Sequence, residues 1–338
     1  MATISEIARH AGVGVSTVSR YLNDHPYISE DKRERIQAAI EELDYTPSAI
    51  ASQLRTRTTP NIGVLVSRIT NPFFTQFFDA VERELHQHGY QVMVSQTYSD
   101  AASERAFLDK LKSREIEAVI LASVESAATV AEIADAVPNR IVVLNQTFPT
   151  PNLQSVTVDH YTATTEALEH LWSNGARRIA YATGGQFGDT RHGRDRNEAY
   201  RDFLTQHDLP LDEDIIFTDR HTGGDGADLA RTVAGLAPAQ RPDAFFANSD
   251  EVATGLIGGL ADQGIRVPGE IAVIGYDDQP MAPYLSVPLT TIRQPVAEMA
   301  RAAVLRLLRG LDAPTAADGT PDLGNLDLTP RLVIRASA

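Results

Sequence analysis

The chain has 338 residues, a length that suits two or three domains. Its composition, with 43% hydrophobic and 22% charged residues, excludes fibrous and disordered classes. The absence of cysteine excludes disulfides, cysteine-based zinc sites and thiol nucleophiles. No apolar run approaches the ~18 residues that a membrane span requires, and no signal-like segment opens the sequence. We therefore expect a cytoplasmic protein without membrane contact.

The net charge of −15 is unevenly distributed. Residues 1–60 carry 7 basic and 8 acidic side chains, whereas residues 61–338 carry 23 and 37. Because an acidic body is unsuited to nucleic-acid binding, any contact with DNA must come from a small, nearly neutral N-terminal unit.

That unit is predicted to contain three helices. Thr3-Ile4-Ser5-Glu6 is a capping box that starts the first helix, and Gly12 provides the left-handed residue that ends it. A second helix begins near Val15 and breaks at Asn23-Asp24-His25-Pro26, and a third begins at Ser29. Two short helices joined by a tight turn and followed by a third are typical of a helix-turn-helix domain, although any small three-helix bundle gives a similar pattern.

The segment that follows the three helices favours the helix-turn-helix domain over other three-helix bundles. Tyr45-Thr46-Pro47-Ser48-Ala49-Ile50-Ala51-Ser52-Gln53-Leu54-Arg55 is a short helical stretch between Pro-containing linkers. It follows residues at fixed spacing, which are Thr3-Ile4, Ile7-Ala8, Ala11-Gly12-Val13, Ser16-Thr17-Val18-Ser19-Arg20 and Leu22-Asn23. Together these residues resemble the LacI/GalR family of bacterial transcriptional repressors. The resemblance implies a helix-turn-helix DNA-binding domain over 1–46, a hinge helix and linker over 47–59, and an effector-binding and dimerisation domain over 60–338.

The resemblance places the second helix in the major groove of DNA, with base-reading side chains at Val15, Ser16 and Arg20. Valine can pack on a thymine methyl, serine can bond to either base type, and arginine can pair bidentately with guanine. Thr17 and Ser19 are expected to contact phosphates.

The hinge is implied to contact DNA as well. Leu54 matches the family's hinge leucine, which inserts into the minor groove as an apolar wedge, and Ala51 and Arg55 are expected to contact DNA beside it. Gly14 departs from the family pattern, in which serine often caps the recognition helix; glycine costs only roughly a few tenths of a kcal/mol there.

From residue 61 the chain alternates apolar runs with amphipathic helices. The apolar runs predict strands over 62–66, 91–94, 118–121, 141–144, 179–181, 244–246 and 271–274. This alternation is typical of an α/β fold with parallel sheets covered by helices. Two such sets of alternating strands and helices predict two Rossmann-like, doubly wound lobes, with a ligand at the carboxyl ends of the strands. We expect lobe one over about 60–160 plus 292–322 and lobe two over about 161–291 plus 323–338.

The body resembles the same family and the periplasmic sugar-binding proteins. The matching residues are Asn71-Pro72-Phe73-Phe74, Arg196, Tyr200, Ser249-Asp250, Ile274-Gly275-Tyr276-Asp277-Asp278, Thr290-Thr291-Ile292 and Gln294-Pro295. The resemblance implies a small-molecule effector, most simply a sugar or sugar derivative. Phe73 and Phe74 would stack on its ring, and Arg196 and Asp277 would face each other across the cleft.

Further effector contacts are expected at His221, where the family often has an aromatic residue, and at Asp159 and Ser249. Simpler interpretations remain open: either phenylalanine could be a core residue, Arg196 could pair with Asp195 or Glu198, and Asp277 could cap a turn. Asp250 is expected to cap the helix that follows it. The positive charge of Arg191, His192 and Arg194 could suit a phosphorylated sugar, although a solvated loop is the simpler interpretation.

Two other classes share such a fold, namely a sugar-acting enzyme and a solute-binding protein. The sequence lacks GxSxG and GxxxxGK[ST], and Gly184-Gly185-Gln186-Phe187-Gly188 lacks the spacing of a dinucleotide loop. His86 and His88 would point to different faces of a helix. We therefore expect no catalytic residues, cofactor or metal. A solute-binding protein would carry an export signal and no DNA-reading head.

The expected function is that of a ligand-responsive repressor. Two chains would pair through their bodies as a homodimer on a pseudo-palindromic double-stranded operator. The effector would change the angle between the lobes, and with it the order of residues 47–57 and the operator affinity. No heptad repeat accompanies Arg335-Ala336-Ser337-Ala338, so we expect a dimer rather than a tetramer.

Overall fold

The computed structural model describes residues 2–22, 25–45, 59–188, 193–311 and 326–338. The chain divides into two compact units, Met1–Thr59 and Pro60–Ala338. Every helix in the described ranges is too short or too polar to cross a lipid bilayer.

The described part of the N-terminal unit is a bundle of helices α1 (Ile4–His10), α2 (Val15–Tyr21) and α3 (Glu30–Glu42). Thr3 and Glu6 form the predicted capping box at the start of α1, and Gly12, with φ +63°, turns the chain toward α2. Small and branched side chains fill the core between the helices, and they are Ile7, Ala8, Ala11, Val18, Ile36 and Ala39.

Lobe one of the larger unit is built on a parallel sheet with the strand order β2-β1-β3-β4-β5. Its elements follow in chain order as β1 (Asn61–Val66), α4 (Pro72–Gln87), β2 (Gln91–Gln96), α5 (Ala101–Ser113), β3 (Ala118–Leu121), α6 (Ala127–Ala136), β4 (Ile141–Leu144) and β5 (Gln154–Val156). The helix α11 (Val296–Gly310) comes from much later in the chain and completes the core of this lobe.

Lobe two is built on a six-stranded sheet with the order β11-β10-β9-β8-β6-β7. Its elements are α7 (His160–Ser173), β6 (Ile179–Ala182), α8 (Arg194–Gln206), β7 (Ile216–Phe217), α9 (Gly223–Ala234), β8 (Ala244–Ala247), α10 (Asp250–Asp262), β9 (Ala272–Asp277), β10 (Thr290–Arg293) and β11 (Arg331–Val333). All neighbouring strands are parallel except β11, which is antiparallel to β10. The strand β11 is not among the strands that the apolar runs predict.

The chain passes between the lobes more than once. Val158 still belongs to the core of lobe one, whereas α7 packs on lobe two from His160 onward. The chain returns at Gln294-Pro295, between β10 and α11, and is again in lobe two at β11. The second passage therefore lies after residue 292, because Ile292 is paired within the sheet of lobe two.

Two glycines allow α9 and α10 to pack with their backbones in contact. A Cβ at Gly226 would overlap the carbonyl oxygen of Val252, and a Cβ at Gly255 would overlap that of Gly223. This packing fixes the position of the N-terminal end of α10, which carries the residues of the candidate effector site.

Candidate functional site

The helix α2 presents a polar face to solvent. Ser16 and Arg20 are exposed, and the apolar side chain of Val15 is 50% exposed, whereas Val18 on the opposite face is fully buried. Gly14 occupies the N-cap position without a side-chain cap. The three residues predicted to read bases therefore share one accessible surface that the head's core does not use.

The remaining residues predicted to contact DNA lie at the margins of the exposed face of α2 or outside the described residues. Thr17 and Ser19 are half-buried on α2, at the margins of its exposed face. Ala51, Leu54 and Arg55 lie outside the described residues, together with the rest of 46–58.

A cluster at the carboxyl edge of lobe two brings together Arg196, Asn248 and Asp277. The Nη1 of Arg196 donates a hydrogen bond of 3.0 Å to the carbonyl oxygen of Asn248, and its guanidinium lies 4.7 Å from the ring centre of Tyr276. Because α8 and β9 both belong to lobe two, the expectation that Arg196 and Asp277 face each other across the cleft is wrong. Both residues belong to lobe two, and the charge of Arg196 lowers the pKa of Asp277.

Asp277 is a buried carboxylate at the end of β9. Its Oδ1 accepts a 2.6 Å hydrogen bond from Nε2 of Gln294, which lies in the passage between the lobes. Burial raises the pKa of Asp277 to about 7, against the opposing influence of Gln294 and of the Arg196 charge. Its φ of +112° is unfavourable for a residue with a side chain, and such strain is concentrated at functional sites.

Asp250 does not cap α10, contrary to expectation. Ser249 is the N-cap, and its Oγ accepts a 3.3 Å hydrogen bond from the amide of Val252. The carboxylate of Asp250, which is 1% exposed, instead accepts hydrogen bonds from the Thr291 hydroxyl and from the Gln279 amide. Burial and the nearby Asp277 raise its pKa to about 8.

A buried histidine that sequence reasoning did not select lies behind the cluster. The Nδ1 of His160 and the hydroxyl of Tyr276 share a hydrogen bond of 2.6 Å. Burial and the charge of Arg196 lower the pKa of His160 to about 3, so its imidazole is neutral. Since Tyr276 also lies under Arg196, His160 supports the guanidinium indirectly.

The other residues of lobe two that were predicted to contact the effector differ in position and in hydrogen bonding. His221 is exposed at the same edge, where its ring would lie 3.3 Å from a Cβ at Gly184. Asp159 caps α7 by accepting a 2.9 Å hydrogen bond from the Thr162 amide, and hydrogen bonds from the Thr162 side chain and amide lower the pKa of Asp159. Arg194 pairs with Glu198 at 2.9 Å. Arg191 and His192 lie outside the described residues.

Sequence reasoning also missed Asn248 and the contact made by Gln294. The Nδ2 of Asn248 donates to the carbonyl oxygen of Arg220 at 2.9 Å, and its buried Oδ1 has no hydrogen-bond partner within the described part of the chain. A polar residue directly after the apolar strand Ala244–Ala247 was a usable signal, because ligands bind at the carboxyl ends of parallel strands.

Lobe one contributes aromatic side chains at the start of α4. Phe73 is buried and stacks on Phe77 with ring centres 6.4 Å apart, so most of its surface is used by the core. Phe74 packs edge-on against Phe73 and remains partly exposed. Of the two predicted stacking residues, Phe74 has the more accessible ring.

Two family models match the chain. Residues 3–48 match the model described as bacterial regulatory proteins, lacI family, and residues 168–338 match a periplasmic binding protein-like domain. The predicted fold, a helix-turn-helix head with a two-lobed periplasmic-binding-like body, is confirmed by these matches and by the solved structures described next.

The chain is similar to known regulators over its whole length. It is 32% identical to the ribose operon repressor of Escherichia coli K12, covering 100% of both chains. It is 50% identical to a Lactobacillus casei LacI family transcriptional regulator solved with bound sucrose, with a TM-score of 0.77 and coverage of 82% of this chain and 99% of that one. A lac repressor dimer bound to operator and an anti-inducer is 25% identical, with a TM-score of 0.81 and coverage of 99% and 98%.

Proposed function

Because this chain belongs to the lacI family of bacterial regulatory proteins, we propose that it is a transcriptional repressor whose operator affinity is controlled by a small-molecule effector. The observation that supports the proposal is that one chain contains both features. These are an exposed face of α2 with residues suited to reading DNA bases and a buried charged cluster at the carboxyl edge of lobe two. A repressor of this kind acts in the cytoplasm, where the bacterial chromosome lies.

The DNA-binding role rests on Val15, Ser16 and Arg20. These three residues read base edges in the major groove, whereas Thr17 and Ser19 contact phosphates. In this proposal Leu54, with Ala51 and Arg55, contacts the minor groove. Two chains pair as a homodimer, as in the lac repressor dimer on its operator, and place two heads on a pseudo-palindrome.

The effector is a carbohydrate in this proposal. Arg196, Asn248, Asp277 and Gln294 present charged and amide groups that can bond to sugar hydroxyls, and Phe74 offers a partly exposed ring for stacking. Sucrose in the structure of the 50% identical regulator supports this class. His221 is a further contact at the same edge, whereas Ser249 and Asp159 act by capping helices beside the site.

The cluster is proposed to bind its ligand rather than to transform it. The relatives are transcriptional regulators, and a repressor needs a ligand that dissociates unchanged so that the response is reversible. Incubation with sucrose should therefore leave the sugar intact.

The test combines DNA selection with sugar binding. The full chain is used to select a duplex from a random library, and binding to that duplex is then measured with and without sucrose or ribose. We expect one palindromic sequence to be selected and one sugar both to change its affinity and to raise the melting temperature. Arg196→Ala and Asp277→Asn should strongly weaken the sugar effects while leaving duplex binding intact. Failure to select any sequence would contradict the proposal.

A further inference from the structure

We propose that Asp250 is a positioning residue of the effector site, whose carboxylate holds the backbone turn that presents Asp277. This inference rests on the proposed function, because Asp277 is the residue taken to bind the effector. Asp250 itself is almost completely buried and acts through its neighbours.

The turn that follows β9 has a backbone that needs external support. Asp277 has a φ of +112° and Asp278 a φ of +53°, so two consecutive residues with side chains occupy the positive-φ half of the Ramachandran map. Such conformations are sparsely populated and persist only where surrounding contacts hold them. The direction of the Asp277 carboxylate depends on this backbone.

The carboxylate of Asp250 supplies those contacts. Its Oδ2 accepts a 2.7 Å hydrogen bond from the amide of Gln279. Its Oδ1 accepts one from the hydroxyl of Thr291, and the same hydroxyl accepts a hydrogen bond of 3.4 Å from the amide of Asp278. Two successive backbone donors of the turn are thus bound to Asp250, one directly and one through Thr291.

The space around Asp250 is fitted to this carboxylate. A Cβ at position 275 would overlap its Oδ1, so glycine is the residue that leaves room for it on β9. The helix α10 does not need Asp250 as a cap, since Ser249 has that role. A buried polar group is expensive unless it is hydrogen-bonded, and the hydrogen bonds of Asp250 go to the turn.

Besides burial, the charges of Asp277 and Asp278 raise the pKa of Asp250. Asp278 is held at 2.6 Å by both Arg293 and Arg335. The charge of Arg196 lowers the pKa of Asp277, and that of Glu251 raises it. Across the described ranges, no ion pair includes Asp250, so its carboxylate is not a partner of either arginine.

The substitution Asp250→Asn tests this inference in the full chain. At pH 9, where a carboxyl with a pKa of about 8 is mostly ionised, the asparagine keeps the volume but replaces one acceptor oxygen with a donor, so the Gln279 amide or the Thr291 hydroxyl loses its acceptor. We expect residue-resolved hydrogen exchange at the amides of Asp278 and Gln279 to become at least about tenfold faster. The affinity for sucrose or ribose, whichever the wild type binds, should fall by about tenfold or more.

Three further variants separate positioning from general stability. Thr291→Val removes the bridging hydroxyl and should speed exchange at Asp278, whereas Thr291→Ser keeps the hydroxyl and should restore it. Asp243→Asn is the matched control, because Asp243 also accepts two backbone amides, from Arg177 at 2.9 Å and Arg178 at 3.0 Å, at the opposite edge of the same sheet. It should lower the melting temperature and leave exchange at Asp278 and Gln279 and sugar affinity unchanged.

The outcomes are distinguishable. If Asp250→Asn lowers the melting temperature as Asp243→Asn does but leaves exchange at Asp278 and Gln279 at wild-type rates, Asp250 is only a structural residue and the inference is overturned. Faster exchange with unchanged sugar affinity overturns it too, since the turn would then not matter for binding. If the wild type binds neither sugar, the proposed carbohydrate fails, and the exchange rates still decide whether Asp250 holds the turn.

Discussion

Arg20 is the side chain of α2 with the greatest capacity for base discrimination. Its guanidinium is exposed, and bidentate pairing with guanine discriminates between bases by about 1–3 kcal/mol. We expect Arg20→Ala to weaken binding to the selected duplex by roughly 5- to 150-fold and to flatten the preference at one base pair in each half-site. Fluorescence anisotropy with single-base variants of the duplex measures both effects.

The matched control for Arg20 is Arg35→Ala on α3, where the arginine pairs with Asp31 at 3.2 Å. Its affinity and sequence preference should stay within about twofold of wild type. Equal losses on all sequences in Arg20→Ala would instead assign Arg20 to a phosphate.

Asp277 should make effector affinity depend on pH. Its pKa of about 7 means that roughly a tenth of the carboxyl is ionised at pH 6 and about nine tenths at pH 8. Because the ionised form accepts hydrogen bonds from sugar hydroxyls, affinity should rise by up to about tenfold over this interval, measured by calorimetry. Arg196, Glu251 and Asp250 face this carboxyl and are ionisable as well.

The variant Asp277→Asn identifies the source of that pH dependence. Its affinity for the sugar should be low and nearly constant between pH 6 and pH 8, since the amide does not titrate. A wild-type affinity that is flat over the same interval would show that the carboxyl keeps one protonation state there.

The residues of the site could be predicted in part. The resemblance to the LacI/GalR family implies Arg196 and Asp277 as effector contacts, but their common placement on lobe two depends on which elements pack together. Ser249 and Asp250 are both good N-caps by local rules, and the choice between them is made by Thr291, which is 41 residues beyond Asp250 in the chain. A contact between residues so far apart in the chain cannot be predicted from the local sequence.

At the scale of elements, the contact between α9 and α10 should be intolerant of one added methyl group. A side chain at Gly255 would overlap the carbonyl oxygen of Gly223, so Gly255→Ala should lower the free energy of unfolding by about 1–3 kcal/mol. Gly258, on the same helix, has open space at its Cβ position. Gly258→Ala should raise the free energy of unfolding by up to about 1 kcal/mol through helix propensity.

Urea unfolding of the two glycine variants gives the comparison. Effects of opposite sign are expected from the same substitution at positions three residues apart. A similar loss in both variants would point to helix bending rather than to the close contact with α9.

The elements themselves were predicted where their signal was strong. The capping box of α1 and the apolar runs of β1, β3, β4 and β8 were recognised because caps and continuous apolar strands are local features. The strands β5 and β7 have three and two residues, too few to show a period. The antiparallel strand β11 is defined by its pairing with β10, which local sequence does not encode.

At the scale of the whole molecule, effector and operator binding should be coupled reciprocally. If the sugar changes duplex affinity by some factor, the duplex must change sugar affinity by the same factor, commonly about 5- to 150-fold. Calorimetric titration of the sugar into free protein and into the protein–duplex complex measures that factor directly. Equal sugar affinities in the two titrations would show that the sugar does not regulate DNA binding.

The order in which the elements occur along the chain has a consequence for biosynthesis. Lobe one takes its last helix from Val296–Gly310, and lobe two takes its last strand from Arg331–Val333. The hydrophobic interiors of both lobes therefore stay incomplete until the ribosome has passed residue 296, and the nascent chain exposes apolar surface until then. A chain that stopped before residue 296 would consist of two unfinished lobes rather than one finished and one missing.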